Sequence, residues 1–259
     1  MNDVITIGVD LAKNVFQIHG VDAEGAVIVR RQLRRRQMLP FFKKQPSCLV
    51  GIEACATSHH WARQLVELGH QVKLMPPRYV KPYVKRNKND MADAEAICEA
   101  VTRPTMRFVA IKTEEQQSVL MLHRTRQLFV RQRTTIINAL RAHLAELGII
   151  AGIGRNGLER LLDVIADDED ERVPPTARDC LLALRVQLEL VKQQILEADR
   201  RVLAWHRASE ASLRLDDIPG VGPLIASALV ASVPDPHAFK SGRDLSAWIG
   251  LVPKQNSTG

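Results

Sequence analysis

One uninterrupted stretch, from Thr113 to Leu147, constrains the fold more than any other part of the sequence. It contains neither proline nor glycine. Apolar residues recur along it at helical spacing: Leu120, Leu128, Ile136, Ile137, Leu140, Leu144 and Leu147. At 1.5 Å per residue such a helix is roughly 50 Å long. A second pattern of this kind runs from Thr176 to Arg207, and the two together predict an antiparallel coiled-coil arm or half of a dimerising bundle.

The residues that precede this arm have the pattern of an α/β domain. Strands are predicted at residues 3–10, 14–21, 25–33, 49–53 and 72–75, and helices at residues 34–44, 58–68 and 90–101. Three consecutive strands followed by alternating helix and strand are typical of an α/β layer with a mixed sheet. The first part of the chain is therefore expected to form such a layer, with the helices packed on its faces.

Positive charge is concentrated in the same half of the chain. Residues 1–150 contain 23 Lys and Arg against 13 Asp and Glu, whereas residues 151–259 contain 13 against 16. Clustered basic residues are the electrostatic signature of a polyanion partner, although a single run is also compatible with a solvated face. The residues predicted to bind nucleic acid in this half are Arg30, Arg31, Arg34, Arg35, Arg36, Lys85, Arg86 and Lys88.

A glycine-containing motif near the end of the chain gives a second indication of nucleic-acid binding. The segment Ile218-Pro-Gly-Val-Gly-Pro, followed by an alanine-rich helix, resembles a helix-hairpin-helix. In such a turn Gly220 and Gly222 allow backbone N–H groups to approach a phosphate at a helix N-terminus. The alternative is a tight turn with a structural role only.

Several classes of protein are excluded or disfavoured by the sequence. No apolar run approaches the roughly 20 residues of a membrane span, and the start lacks a secretory pattern. The four cysteines have no metal-ligand or disulfide spacing, which favours a reduced, cytoplasmic protein. The segment Gly152-Ile-Gly-Arg-Asn-Gly matches a dinucleotide fingerprint, but the strand that should flank it is missing.

Four carboxylates are the strongest candidates for catalysis. Asp10 and Glu53 each end a predicted strand, and Asp90 and Asp93 lie one helical turn apart on a single helix face. If they converge, these groups repel one another unless cations bridge them, and two Mg²⁺ ions held by oxygen ligands suit phosphodiester displacement. Strand-end acids also cap helices; the ordered set of four favours catalysis.

These acids, the Lys88–Ala94 segment, Ile218-Pro-Gly-Val-Gly-Pro and Ala247-Trp-Ile-Gly-Leu-Val-Pro together resemble the DEDD transposases of bacterial insertion sequences, the IS one-ten type. The resemblance covers essentially the whole chain. It implies three domains: a ribonuclease-H-like catalytic domain akin to Holliday-junction resolvases in residues 1–110, a helical coiled-coil arm in residues 111–210, and a C-terminal transposase domain with a helix-hairpin-helix in residues 211–259.

The resemblance also implies how such a protein works. It implies Mg²⁺ at Asp10, Glu53, Asp90 and Asp93, and a serine nucleophile, for which Ser257 is the match by position. It implies an element-encoded structured guide RNA that pairs with the element ends and target DNA, and a homodimer or homotetramer formed through the arm in the bacterial cytoplasm, associated with the nucleoid. Members of the family continue beyond Gly259, so we expect this chain to be truncated and weakly active or inactive.

Other functions fit parts of the sequence. A two-metal nuclease or junction resolvase needs the same acids but uses water as the nucleophile. A sugar-kinase or actin-like ATP-binding fold can also begin with Gly8-Val-Asp-Leu-Ala, but it needs a second glycine-rich phosphate loop that this chain lacks. A nucleic-acid scaffold without enzyme activity needs only the basic residues. A covalent protein–DNA adduct that survives denaturation distinguishes the transposase from the nuclease or resolvase.

Overall fold

The computed structural model describes residues 3–84 and 90–251, with only the backbone of Asp90. The chain divides into two compact units. One contains the described residues up to Thr113 together with those from Val233 onward, and the other runs from Glu114 to Ser232. Among the described residues, no helix is long and apolar enough to cross a lipid bilayer.

The first unit contains a mixed five-stranded sheet, as the sequence predicts. Its strands are β1 (Thr6–Leu11), β2 (Val15–Val21), β3 (Val27–Arg34), β4 (Leu49–Glu53) and β5 (Gln71–Met75). Their order across the sheet is β3-β2-β1-β4-β5. The first three strands pair antiparallel, and β4 joins both β1 and β5 in parallel. The carboxyl ends of β1, β4 and β5 therefore meet at one edge of the sheet.

Helices cover both faces of this sheet. They are α1 (Met38–Phe42), α2 (Ser58–Glu67), α3 (Pro77–Val80) and α4 (Asp90–Val101). One face presents large apolar side chains such as Ile7 and Ile52. On the same face the Phe16 ring packs edge-on against Trp61 of α2, with the two ring centroids 5.2 Å apart. Burial of these side chains supplies the main driving force for folding of this unit. The predicted basic helix at residues 34–44 is shorter in the structure: one 3-10 turn followed by α1.

The opposite face is covered by α4, which approaches the strands closely at two glycines. A Cβ added to Gly8 would overlap the carbonyl oxygen of Ala94 and lie 2.7 Å from the Cβ of Cys98. A Cβ added to Gly51 would lie 2.8 Å from the Cβ of Val101. Because real Cβ atoms do not pack at these distances, only glycine permits this helix–sheet separation.

The second unit is helical and contains the two long helices predicted from the sequence. It comprises α5 (Glu114–Glu146), α6 (Arg155–Ala166), α7 (Pro175–Ala208), α8 (Glu210–Asp216) and α9 (Pro223–Ser232). Trp205 donates a hydrogen bond to Glu115 at 2.8 Å, and Arg126 pairs with Asp199, so α5 and α7 run antiparallel. Coiled-coil geometry of the arm remains a prediction. A last helix, α10 (Gly242–Trp248), lies in the first unit.

Helix α6 lies between the two long helices, in a segment for which the sequence pattern predicted no helix. Gly157 lies inside the first turn of α6, where an added Cβ would lie 2.7 Å from the backbone carbon of Gly152. This glycine therefore permits the loop to pack against the helix, and it does not end the helix. The amphipathic run Leu158, Leu161 and Ile165, all buried, was the sequence signal for α6.

We expect Gly8→Ala to lower the free energy of unfolding by roughly 1–3 kcal/mol, the usual cost of an overpacked core. The added methyl group must push α4 away from β1, because the obstructing atoms are mostly backbone. Urea denaturation of the variant measures this change. Gly242→Ala is the matched control, since a Cβ there meets nothing within 4 Å. Equal midpoints for Gly8→Ala and the unmodified chain would contradict the packing account.

Candidate active site

Asp10 and Glu53 lie side by side at the carboxyl edge of the sheet. Val9 of β1 is in register with Ile52 of β4 in a parallel pair, and the two acids are the next residues of their strands. Neighbouring strands lie about 4.8 Å apart, so the two backbone positions are adjacent. Both acids are half-buried.

Both acids also point to the face that α4 covers. Side chains alternate between the two faces along a strand, so Asp10 shares its face with Gly8 and Glu53 shares its face with Gly51. These glycines are the two positions against which α4 packs. The same triplet therefore occurs in two neighbouring strands: a glycine under α4, a buried aliphatic residue facing α2, and an acid at the end.

The direction of α4 brings its first residues toward the same edge. Ala94 lies over Gly8, and the thiol of Cys98 points to the carbonyl oxygen of Thr6 at 3.7 Å. Since the later helix residue contacts the earlier strand residue, α4 runs antiparallel to β1. The helix therefore begins near the end of β1, and Asp90 and Asp93 belong to its first turn.

The backbone positions of the four acids lie near one edge, but the described side chains do not form a complete metal site. In the described part of the chain, no three His, Cys, Asp or Glu side chains are grouped closely enough to hold a metal ion. The side chain of Asp90 lies outside the described residues, and Asp93 is half-buried. The convergence of all four carboxylates thus stays a prediction, supported by the positions of Asp10, Glu53 and the start of α4.

The histidines near Glu53 have a structural role. His59 lies on α2, and its Nδ1 accepts a hydrogen bond from the backbone N–H of Lys112 at 3.2 Å. Burial, together with the smaller effect of the nearby charges of Lys112 and Arg63, lowers the pKa of His59 to about 4. At neutral pH the ring is therefore uncharged, and its hydrogen bond with Lys112 holds the segment after β5 against α2. His59 belongs to the first turn of α2, which begins at Ser58.

The basic residues of the first run follow the exposed edge strand. Arg30, Arg31 and Arg34 lie on β3 and are exposed, and Arg35 and Arg36 follow directly. Two of the five also make contacts within the protein: Arg30 pairs with Glu95 of α4 at 3.6 Å, and the Arg35 guanidinium lies over the Trp61 ring at 5.2 Å. Charge on an edge strand also discourages pairing with another chain.

The remaining predicted site residues fall into two groups. Gly220 has a positive φ of 88° in the turn between α8 and α9, and the carbonyl of Gly222 accepts the first hydrogen bonds of α9. The structure therefore has two helices joined by the predicted glycine turn, whereas contact with nucleic acid stays a prediction. Lys85, Arg86, Lys88 and Ser257 lie outside the described residues.

Comparison with known proteins identifies the family of this chain. The family model for DEDD transposases of the IS110 type, described as "Transposase", matches residues 7–149, which contain all four acids. A second model, "Transposase IS116/IS110/IS902 family", matches residues 212–259. The chain belongs to the IS110 family of transposases. The resemblance drawn from the sequence motifs is thereby confirmed.

Individual relatives from the IS110 family align along essentially the whole length of this chain. A protein of Sinorhizobium fredii named as a transposase (y4pF/y4sB) is 49% identical over 258 residues. The "Transposase for insertion sequence element IS1328" of Yersinia enterocolitica is 41% identical, and that for IS1111A of Coxiella burnetii is 40% identical, both over 259 residues. The chain spans 66% of the length of the first relative, just under two thirds, and 77% and 71% of the others.

Gly8 and Gly51 are the positioning residues that the sequence analysis overlooked. Their signal is present in the sequence, because Gly8-Val-Asp and Gly51-Ile-Glu are the same triplet at the ends of two predicted strands. Each triplet places its acid two residues beyond a site of close helix packing. The triplet alone is not specific, because Gly20-Val-Asp and Gly157-Leu-Glu also match it; the close packing of α4 is what distinguishes Gly8 and Gly51.

Proposed function

We propose that this chain is the transposase of an insertion sequence, cutting and rejoining DNA strands at the element ends and target. The observation that carries the proposal is the pair of neighbouring parallel strands ending in Asp10 and Glu53, with α4 packed over both. The family match provides the reaction class. A reaction on phosphodiesters agrees with an acidic edge beside a basic strand, since the acids hold cations and the arginines hold phosphates.

The proposed cofactor is Mg²⁺, held by the carboxylates of Asp10, Glu53, Asp90 and Asp93. These residues fit the ion chemically because Mg²⁺ is a hard cation that prefers oxygen ligands. When bound, the ion neutralises the negative charge that develops on the phosphate oxygens. The carboxylates would hold the cation in place, and the packing of α4 on Gly8 and Gly51 brings the start of α4 to the edge where Asp10 and Glu53 lie.

The proposed nucleophile is Ser257. Its Oγ forms a bond to the phosphorus of the scissile phosphate, the bond from phosphorus to the leaving DNA oxygen breaks, and the hydroxyl proton is transferred to that oxygen. A weak nucleophile such as a serine hydroxyl requires activation by its surroundings. The covalent serine–DNA link keeps the bond energy that rejoining of the strands requires.

The proposed partners are DNA and an element-encoded guide RNA. The arginines of β3 and its continuation provide an exposed cationic edge. The turn at Gly220 precedes the start of α9, where the first backbone N–H groups of a helix have no partner within the helix. Contacts of phosphates with arginine side chains and with backbone N–H groups position a nucleic acid without reading its sequence. Recognition of sequence is therefore assigned to the guide RNA, through base pairing with the DNA.

We also propose that copies of the chain associate through the arm as a dimer or tetramer. Met121 and Leu128 of α5 are exposed and one heptad apart, and Val186 and Leu190 of α7 are exposed as well. Apolar side chains at such spacing form the seam between associating helices. The outward faces of α5 and α7 are therefore the proposed contact between copies.

Replacing Asp10 by Asn should abolish Mg²⁺-dependent DNA processing and leave the fold intact. The amide keeps the shape of the side chain but removes the charge that holds the cation, and loss of one of several like charges slightly favours the folded state. Cleavage of labelled element-end DNA by a chain extended to the length of the relatives, and thermal unfolding, measure the two effects. Asp3→Asn, at an exposed position, is the control. Full cleavage by the Asp10 variant would contradict the assignment.

Changing Arg34, Arg35 and Arg36 together to Ala should weaken DNA binding and reduce its salt dependence. The logarithm of the binding constant falls with the logarithm of salt by roughly 0.7–0.9 for each phosphate contacted. Fluorescence anisotropy of a duplex over a salt series measures this slope. The control removes three exposed arginines of α7 instead, Arg200, Arg201 and Arg207. An unchanged slope in the first variant would mean that these arginines only protect the sheet edge.

Ser257→Ala should eliminate a protein–DNA adduct that survives denaturation, because no hydroxyl remains to form the phosphodiester. Since the relatives are longer than this chain, the assay uses a chain extended to their length. Thr258→Val removes the neighbouring hydroxyl and should leave the adduct intact. An adduct with the Ser257 variant assigns the nucleophile elsewhere, and cleavage without any adduct indicates a nuclease that uses water.

A further inference from the structure

A glutamine that the sequence motifs do not include lies directly beside Asp10. Gln17 of β2 is in register with Asp10 in the antiparallel β1–β2 pair. Directly opposed residues of an antiparallel pair project from the same face, so Gln17 shares with Asp10 the face that α4 covers. The backbones of two such residues are about 4.5–5.5 Å apart, which places the amide within reach of the carboxylate.

The side chain of Gln17 is buried without its full set of hydrogen bonds. It is only 8% exposed, and its Oε1 is buried with no hydrogen-bond partner among the described residues. A buried acceptor in this state destabilises the fold, because it has given up water and gained nothing in return. Groups of this kind are rare in native structures, and a bound ion or water is a common reason for them.

We propose that Gln17 is a further oxygen donor of the acid site, contributing its amide oxygen to the cation held by Asp10, directly or through one bound water. This inference rests on the proposed function, since it requires that metal site. Amide oxygens of Gln and Asn are ordinary ligands of hard divalent cations. A neutral donor adds a ligand without adding to the repulsion among the carboxylates.

The proposal has a signature that a purely structural role does not share. If Gln17 served only to stabilise the fold, its replacement by an apolar side chain of similar length would lower the melting temperature. If its oxygen serves the cation, the same replacement removes an unsatisfied acceptor and leaves the melting temperature unchanged or raised. Metal affinity then falls while the stability of the metal-free chain does not.

The test measures the affinity of the purified chain for Mn²⁺ by electron paramagnetic resonance, together with the melting temperature without metal. Gln17→Met should weaken Mn²⁺ binding on the order of tenfold or more, as is usual for residues that support a metal site, with no loss of melting temperature. Gln17→Glu keeps an oxygen donor and should restore the affinity. Gln32→Met is the matched control, because Gln32 is opposite Gln17 on β3 but exposed.

The Asp10→Asn variant separates failure of this inference from failure of the proposed function. If Asp10→Asn loses Mn²⁺ and Gln17→Met binds it as tightly as the unmodified chain, the metal site stands and the role of Gln17 is refuted. If Mn²⁺ binding does not depend on Asp10, both are refuted. If Gln17→Met melts at a markedly lower temperature and Gln17→Glu does not restore affinity, Gln17 is a structural residue.

Discussion

The close packing of α4 on two glycines is the constraint on which the rest of the first unit depends. Gly8 and Gly51 are register partners in β1 and β4, and α4 lies against both, so one helix is held over two neighbouring parallel strands. Because α4 runs antiparallel to β1, its first turn reaches the edge where both strands end in an acid. The packing of α4 on these glycines, and not any attraction among the carboxylates, brings the two strand ends and the start of α4 to one edge.

The two faces of the sheet differ in composition: one is mainly apolar, and the other carries the candidate site at its edge. The face under α2 carries large apolar side chains, including Phe16, Ile18 and Ile52, and its burial offsets the cost of the other face. At the carboxyl edge, the face under α4 carries glycines, acids and the buried Gln17, and its apolar contacts come from a smaller cluster around Ile97 of α4. Such an arrangement tolerates like charges and an unsatisfied amide at one edge, because the apolar face keeps the sheet folded. Functional sites commonly have this local instability.

Much of this fold follows from the sequence, because its periodicity is strong. The bounds of β4 at Leu49–Glu53 and of α4 at Asp90–Val101 agree with the prediction, as do the long helices to within one residue at each end. Helix α6 is not among the predicted elements, because glycine is unfavourable inside helices and Gly157 lies in its first turn, where it allows close packing of Gly152. The partnership of Asp10 with Gln17 could not be predicted, since the register of β1 and β2 depends on the turn between them.

The most direct test of this account is anomalous diffraction from crystals of the chain grown with Mn²⁺. The account predicts an anomalous peak about 2.0–2.6 Å from carboxylate oxygens of both Asp10 and Glu53, the range for oxygen ligands of such cations, with the first turn of α4 beside it. A well-ordered Mn²⁺ peak elsewhere, with Asp10 and Glu53 binding no ion, would contradict the claim that α4 and the two strand ends build the metal site.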